Sequence, residues 1–176
     1  MSDKRVYLRS ITRDDRDVFV PLMQRSVSLH EPWIHPPINN QMFTLYLKRL
    51  KRGDHVGLLV IEEATDTIVG CFNINNIVRG SFLSASLGYY VVAEFSGRGY
   101  MHEGLTLVIE HALNKLGLHR LEANIQPDNL KSIALVQGCG FEKEGLSPDY
   151  LFITGAWRDH ERWAYVDRRP SLKPAS

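Results

Sequence analysis

The segment Ser96-Gly97-Arg98-Gly99-Tyr100 carries the most chemistry in this sequence. It follows an alternating stretch and opens the most regularly periodic one. A strand-to-helix turn of this kind presents unpaired backbone N–H groups and partial positive charge. Glycines let that backbone approach a ligand with no Cβ in the way. The result is an anion cradle suited to phosphate, and Arg98 adds a full charge. Taken alone, the same turn reads equally well as a packing turn. It is not the dinucleotide fingerprint, because the third glycine would fall at 102, which is His102. A Walker A motif is also absent.

Other reactive residue types are more scattered. The seven histidines show no metal spacing, so no metal is assigned. Cys71 and Cys139 lie far apart, without a C-x-x-C, and read as small buried hydrophobes. Lys48, Arg49, Lys51 and Arg52 cluster at a helix end. They form either a solvated face with a favourable dipole or a contact for a ribosomal or nucleic-acid partner. Trp33 stands in Glu31-Pro32-Trp33-Ile34-His35-Pro36-Pro37, a loop stiffened by its prolines. It is either a wall of an acceptor site or a core tryptophan.

The elements that position these residues follow from periodicity. A first strand is expected over Val6 to Ile11. Thr12 then caps a helix with Asp14 and Asp15 in its first turn, and Pro21 is expected to kink or break that helix. A second helix runs from about Asn40 to Lys51, with Phe43, Tyr46, Leu47 and Leu50 on one face. Strands Val56 to Ile61 and Ile68 to Val78 make a hairpin, and Ala85 to Val92 follows, where Gly88 suggests a bulge or a close approach. After the glycine turn, Leu105, Val108, Ile109, Ala112, Leu113 and Leu116 mark a long helix that Gly117 ends. A strand at Leu121 to Ile125 and a helix at Leu130 to Gly138 come next. A final hairpin, Phe141 to Ile153 and Arg162 to Val166, has Gly155 to Asp159 between its strands. The class is mixed α/β, antiparallel in its first half, with parallel crossovers in its second.

The 176 residues suit one domain, 1–176, with a polar, flexible tail from Arg169. Apolar residues are 44%, charged residues 23%, and the net charge is +1. No global field draws such a chain to nucleic acid or a membrane. The start Met1-Ser2-Asp3-Lys4-Arg5 has no apolar h-region, and no run reaches the ~18 apolar residues of a membrane span. A cytoplasmic protein is expected, monomeric or homodimeric.

Leu87-Gly88-Tyr89-Tyr90 through Glu94-Phe95-Ser96-Gly97-Arg98-Gly99-Tyr100 resembles motif A of the GNAT acetyltransferases, [QR]-x-x-G-x-[GA], with Glu94 in place of Gln or Arg. Asn129-Leu130-Lys131-Ser132 and Gly140-Phe141-Glu142-Lys143-Glu144-Gly145 resemble the N-x-x-S and G-F-x-x-E-G signatures of the RimJ/RimL branch. Asn76 to Phe82, Asp149-Tyr150-Leu151 and Trp157 to His160 are similar, within it, to ribosomal-protein alanine N-acetyltransferases.

The resemblance implies the GNAT fold: a mixed, mostly antiparallel central sheet with helices on both faces and a splayed strand pair, here Ala85–Val92 and Leu121–Ile125. It implies acetyl-CoA as cosubstrate. Backbone groups at Tyr90, Val91 and Val92 would pair with the pantetheine arm, Ser96, Gly97, Arg98, Gly99, Tyr100 and Met101 would hold the pyrophosphate, and Asn129 and Ser132 would flank the sulfur. Many GNAT enzymes place a tyrosine acid where this chain has Val136, so Ser132 is its expected replacement. Glu122 and Asn124 share one strand face. Glu122 is a candidate base, and Asn124, which cannot take a proton, could hold a water. Trp33 and Tyr150 would line the acceptor site, with Arg158, Asp159 and His160 beside them. The acceptor is expected to be a protein N-terminus, such as that of a ribosomal protein. A small amine (a polyamine or an antibiotic) and a CoA-binding module without turnover are the alternatives.

Overall fold

The computed structural model of the chain describes residues 4–170. The start Met1 to Asp3 and the tail beyond residue 170 lie outside the described residues. Arg169, where the polar tail was expected to begin, donates to Asp167 and Asn114.

Seven strands form one sheet: β1 (Val6–Ser10), β2 (Val56–Glu62), β3 (Thr67–Val78), β4 (Ser84–Val91), β5 (Arg120–Ile125), β6 (Glu142–Ile153) and β7 (Ala156–Val166). Their spatial order is β1-β2-β3-β4-β5-β7-β6. Among the described residues, five α-helices accompany them: α1 (Arg16–Arg25), α2 (Val27–His30), α3 (Asn40–Leu50), α4 (Tyr100–Asn114) and α5 (Leu130–Gly138). The helices cover both faces. Gly57 of β2 lies under Tyr46 and Leu50 of α3, whereas Gly104 of α4 meets Val60 and Phe72. Strand side chains alternate between faces, so positions 57 and 60 are opposed. Phe19, Met23 and Phe43 fill the α1–α3 layer, and Leu105 and Val108 fill the α4 layer.

Several expectations need correction. The parallel crossovers of the second half reduce to one parallel pair, β4 with β5; β7 returns antiparallel to β5. Pro21 does not break α1, which continues to Arg25 because Phe19, Val20, Leu22 and Met23 bury its inner face. Gly88 makes no bulge: it pairs in register with Asn73, and the irregularity falls between Asn75 and Val78. α4 stops at Asn114, yet Gly117 (φ +65°) does shape its end, where Leu118 N–H wraps back to Ala112 C=O.

The last hairpin differs most. Its second strand starts at Ala156, so Trp157 to His160 are strand residues and the connection is Thr154-Gly155. Both turn residues have positive φ, 51° and 76°, as a tight two-residue hairpin demands. Threonine at such a position gives no sequence signal, because its β-branch disfavours that conformation.

Candidate active site

β4 and β5 pair from Ser84–Arg120 to Leu87–Ala123 and then part, although β4 runs on to Val91 and β5 to Ile125. This is the expected slot. Peptide groups along a strand alternate in direction. Val92 N–H donates to Val69 C=O of β3 (2.8 Å). Tyr90 and Val92 therefore turn their peptide groups to β3, and Tyr89 and Val91 turn theirs to the slot. Of the three expected backbone partners, Val91 alone faces the opening.

His30 of α2 reaches that same peptide: its Nε2 lies 2.8 Å from Val91 C=O. A carbonyl only accepts, so Nε2–H donates and a second lone pair of the oxygen stays open. Burial pushes the His30 pKa down, against the opposing pull of this hydrogen bond. Two residues on, Ala93 N–H donates to Ser26 Oγ (3.0 Å), so the α1–α2 junction is pinned to the end of β4.

The glycine turn sits where β4 ends. Gly97 and Gly99 both have positive φ, 74° and 82°, and Gly99 is the N-cap of α4 with no side chain capping it. Among the described residues, the amides of Gly97, Gly99, Tyr100 and Met101 make no backbone hydrogen bond, whereas Ser96 N–H and Arg98 N–H are taken by Ala93 and Phe95. Nothing lies within 4 Å of where a Cβ on Gly97 would stand. Free amides, an uncapped helix and open space fit a pyrophosphate. Arg98 lies over the rings of Phe95 and Tyr100. Arg5, which sequence reasoning missed, covers Tyr100 at 4.4 Å and is held by Glu103. Its signal is only a lone arginine before β1, far away in sequence.

At the deep end of the slot, Ser132 stands in the first turn of α5. Asn129 is the N-cap, its Oδ1 accepting from Ser132 N–H (3.3 Å). The Ser132 hydroxyl is hydrogen-bonded to the Tyr89 hydroxyl. Burial pushes the Tyr89 phenol up to about 12 despite that bond. Tyr89 was legible in part: it is two residues from Val91 and so shares its side of β4.

Glu122 and Asn124 do share a face, but they differ in state. Glu122 accepts from Arg120 Nε (2.7 Å), and Arg120 also grips Glu144. Asn124 Oδ1 is buried with no partner. Val136 is fully buried in the core.

Where the acceptor site was expected, the Pro-rich loop is latched to the β6–β7 turn. His35 Nε2 lies 3.0 Å from Thr154 Oγ1, and Thr154 Oγ1 donates to Pro32 C=O (3.4 Å). Trp33 is half-buried there, and Tyr150 packs near His160 at 6.2 Å between ring centroids. A cavity of about 140 Å³ beneath the loop is lined by Val27, His30, Ile34, Ile38 and Met42; neither Trp33 nor Tyr150 borders it. Arg49 turns inward, its guanidinium 5.7 Å from the Tyr46 ring, which removes it from the solvated basic face. Among the described residues, no cluster of His, Cys, Asp and Glu could hold a metal, and no helix is long and apolar enough to cross a membrane.

The family described as Acetyltransferase (GNAT) domain matches residues 5–142. The [Ribosomal protein uS5]-alanine N-acetyltransferase of Escherichia coli is 45% identical over 93 residues. That stretch is 53% of this chain and 48% of the enzyme, so it spans about half of the enzyme's length. Two solved structures share the fold throughout. The ribosomal-protein-S5-alanine acetyltransferase from Vibrio fischeri has a TM-score of 0.85 at 26% identity, covering 99% of this chain and 98% of that one. Mycobacterium smegmatis RimJ in complex with CoA-disulfide has a TM-score of 0.83 at 26% identity, covering 92% and 81%.

Proposed function

This chain belongs to the GNAT family of acetyl-CoA-dependent N-acetyltransferases, and we propose that its acceptor is the α-amine of a protein N-terminus. The observation that carries the choice is the state of Glu122. Its carboxylate is held on Arg120, so the candidate base is already engaged. Amines of lysine type, with a pKa of about 10.4, would arrive protonated and need a strong base; an α-amine, at about 7.7–8.0, is partly neutral already. Likeness to the uS5-alanine enzyme supports the same acceptor and makes a ribosomal protein the leading substrate class.

Acetyl-CoA supplies an activated acetyl group as its thioester. The amine nitrogen bonds to the carbonyl carbon, the C–S bond breaks, and the amine loses one proton. In this reading Val91 and the amides of Gly97, Gly99, Tyr100 and Met101 seat the donor, Asn124 orients the incoming amine, and a water beside it carries the amine proton to solvent. Most of the rate comes from positioning and from donors aimed at developing charge.

Ser132 faces the leaving sulfur. Tyr89, the stronger acid of the two hydroxyls, donates to Ser132 and frees its hydrogen for the sulfur. Full transfer is disfavoured: from a phenol at about 12 to a thiolate at about 8.5 it runs uphill by roughly 5 kcal/mol. The pair therefore stabilises the thiolate by hydrogen bonding and stays protonated. The two unpaired cysteines, one buried and one half-buried, agree with a reducing cytoplasm.

A panel of N-terminal peptides, spermidine and aminoglycosides, read by CoA release, tests the acceptor. Peptides turning over with the highest kcat/KM support the proposal. Preference for spermidine or an aminoglycoside replaces it with small-amine acetylation. Tight acetyl-CoA binding with no turnover on any acceptor replaces it with a binding module.

A further inference from the structure

One row of residues crosses four strands on the α3 face of the sheet. Tyr46 of α3 donates to Asn73 Oδ1 (2.6 Å), which identifies that face. Asn75 lies two residues further along β3 and shares it. Gly88 of β4 pairs with Asn73, and the Leu87–Ala123 pair sets Gly88 beside Asn124 at the point where the slot opens. Asn124 pairs in turn with Arg162 of β7. Asn75, Gly88, Asn124 and Arg162 thus share one face, and Ile34 of the Pro-rich loop stands over Gly88. A Cβ on Gly88 would make ordinary van der Waals contact with Asn75 Nδ2 at 3.5 Å and Ile34 Cδ1 at 3.8 Å, so the position is not crowded.

Four atoms in this row are buried without a hydrogen-bond partner: Asn73 Nδ2, Asn75 Oδ1, Asn124 Oδ1 and Arg162 Nε. Buried polar groups are almost always satisfied, so four together mark a place for a complementary group. Two of them accept and two donate. The matching ligand has N–H donors at one end and a carbonyl oxygen close by. The end of a peptide is built that way, with an α-amine, one carbon and then a carbonyl. A protonated polyamine has donors only.

Charge argues the same way. The nearest carboxylates, Glu122 and Glu144, are both held on Arg120. Arg162 makes no ion pair among the described residues and is not exposed. An unpaired guanidinium here repels ammonium groups and favours the neutral form of an incoming amine, the form that attacks.

We propose that Arg162 determines acceptor specificity, donating from Nε to the first carbonyl of a peptide while Asn75 and Asn124 accept from its α-amine. The site thereby selects a protein N-terminus over a polyamine. This rests on the N-terminal acceptor proposed above.

The test compares wild type with Arg162→Met and Arg162→Lys on three acceptors: an N-terminal peptide, an alkylamine matched to its first residue but lacking the carbonyl, and spermidine. Arg162→Met is expected to raise the peptide KM by about tenfold or more, as loss of a charged hydrogen bond does, with acetyl-CoA KM held within about twofold. It should also erase most of the preference for the peptide over the alkylamine. Arg162→Lys keeps the charge and loses the Nε–H, so it should keep rejecting spermidine while losing the carbonyl preference. Thermal melts of both variants with acetyl-CoA establish that they fold and bind donor. If the wild type prefers spermidine, the N-terminal acceptor itself falls. If the wild type prefers the peptide and both variants keep its carbonyl preference, the Arg162 assignment alone is overturned.

Discussion

The hydroxyls of Tyr89 and Ser132 are hydrogen-bonded to each other across 43 residues of chain. Acting as one unit, the two should show non-additive losses. Ser132→Ala is expected to lower kcat by roughly 10- to 150-fold, the worth of one hydrogen bond to a charged group. Tyr89→Phe should give a smaller loss, and the double variant should fall no lower than Ser132→Ala. Acetyl-CoA dissociation constants measured alongside should stay within about threefold, since the proposed seat of the donor lies elsewhere. Additive losses would mean that the two hydroxyls act separately.

His30 predicts a pH dependence of stability. Its folded pKa lies below the ordinary value because the ring is buried. The unfolded chain therefore binds the proton more readily, and stability rises with pH in that window. Stability is intact above the unfolded value of about 6.5 and is lost as pH falls from there through the folded pKa. Melting temperature should drop on going from pH 7 toward pH 5. In His30→Gln, which can still donate to Val91 but does not titrate, that drop should be visibly shallower.

Two glycines separate binding from packing. Gly97→Ala meets no atom, so its cost to the fold is the backbone strain of φ +74°, about 1–2 kcal/mol. Acetyl-CoA affinity by calorimetry should suffer more than that strain alone, because a methyl group then stands in the cradle. Gly104→Ala puts a Cβ 2.9 Å from Val60 Cγ2. It should lower stability by about 1–3 kcal/mol through overpacking and leave the acetyl-CoA affinity of the folded protein unchanged.

Glu122 and Asn124 are distinguished by the same measurement. Glu122→Gln should change kcat by less than about threefold and shift its cost to stability, because the carboxylate serves Arg120. Asn124→Leu should lower kcat by about tenfold or more without moving acetyl-CoA KM. The reverse ranking would reinstate Glu122 as the base.

Much of the fold was legible because its signals are local. The period of α4 and the glycines around it fixed that helix and the turn that opens it, and the N-cap at Asn129 fixed α5. Three things escaped. The Thr154-Gly155 turn carries no turn signature, so β7 was expected too short. Pro21 reads as a breaker until burial on α1 overrides it. His30, Arg5 and Arg162 reach the cleft from segments whose placement depends on the whole sheet, and no spacing in the chain announces them. Glu122 shows a further gap: a face can be read from alternation, but a partner such as Arg120, two residues away on the same face, decides what the carboxylate can do.

The latch between the Pro-rich loop and Thr154 joins residues 119 and 122 apart in the chain. Both hydrogen bonds run through the one Thr154 hydroxyl, so losing that oxygen unhooks the loop from the turn in a single step. The glycine turn is tied at comparable range by Arg5, which grips Glu103 and reaches Arg98 C=O, so both ends of the cleft wait on contacts between distant parts of the chain.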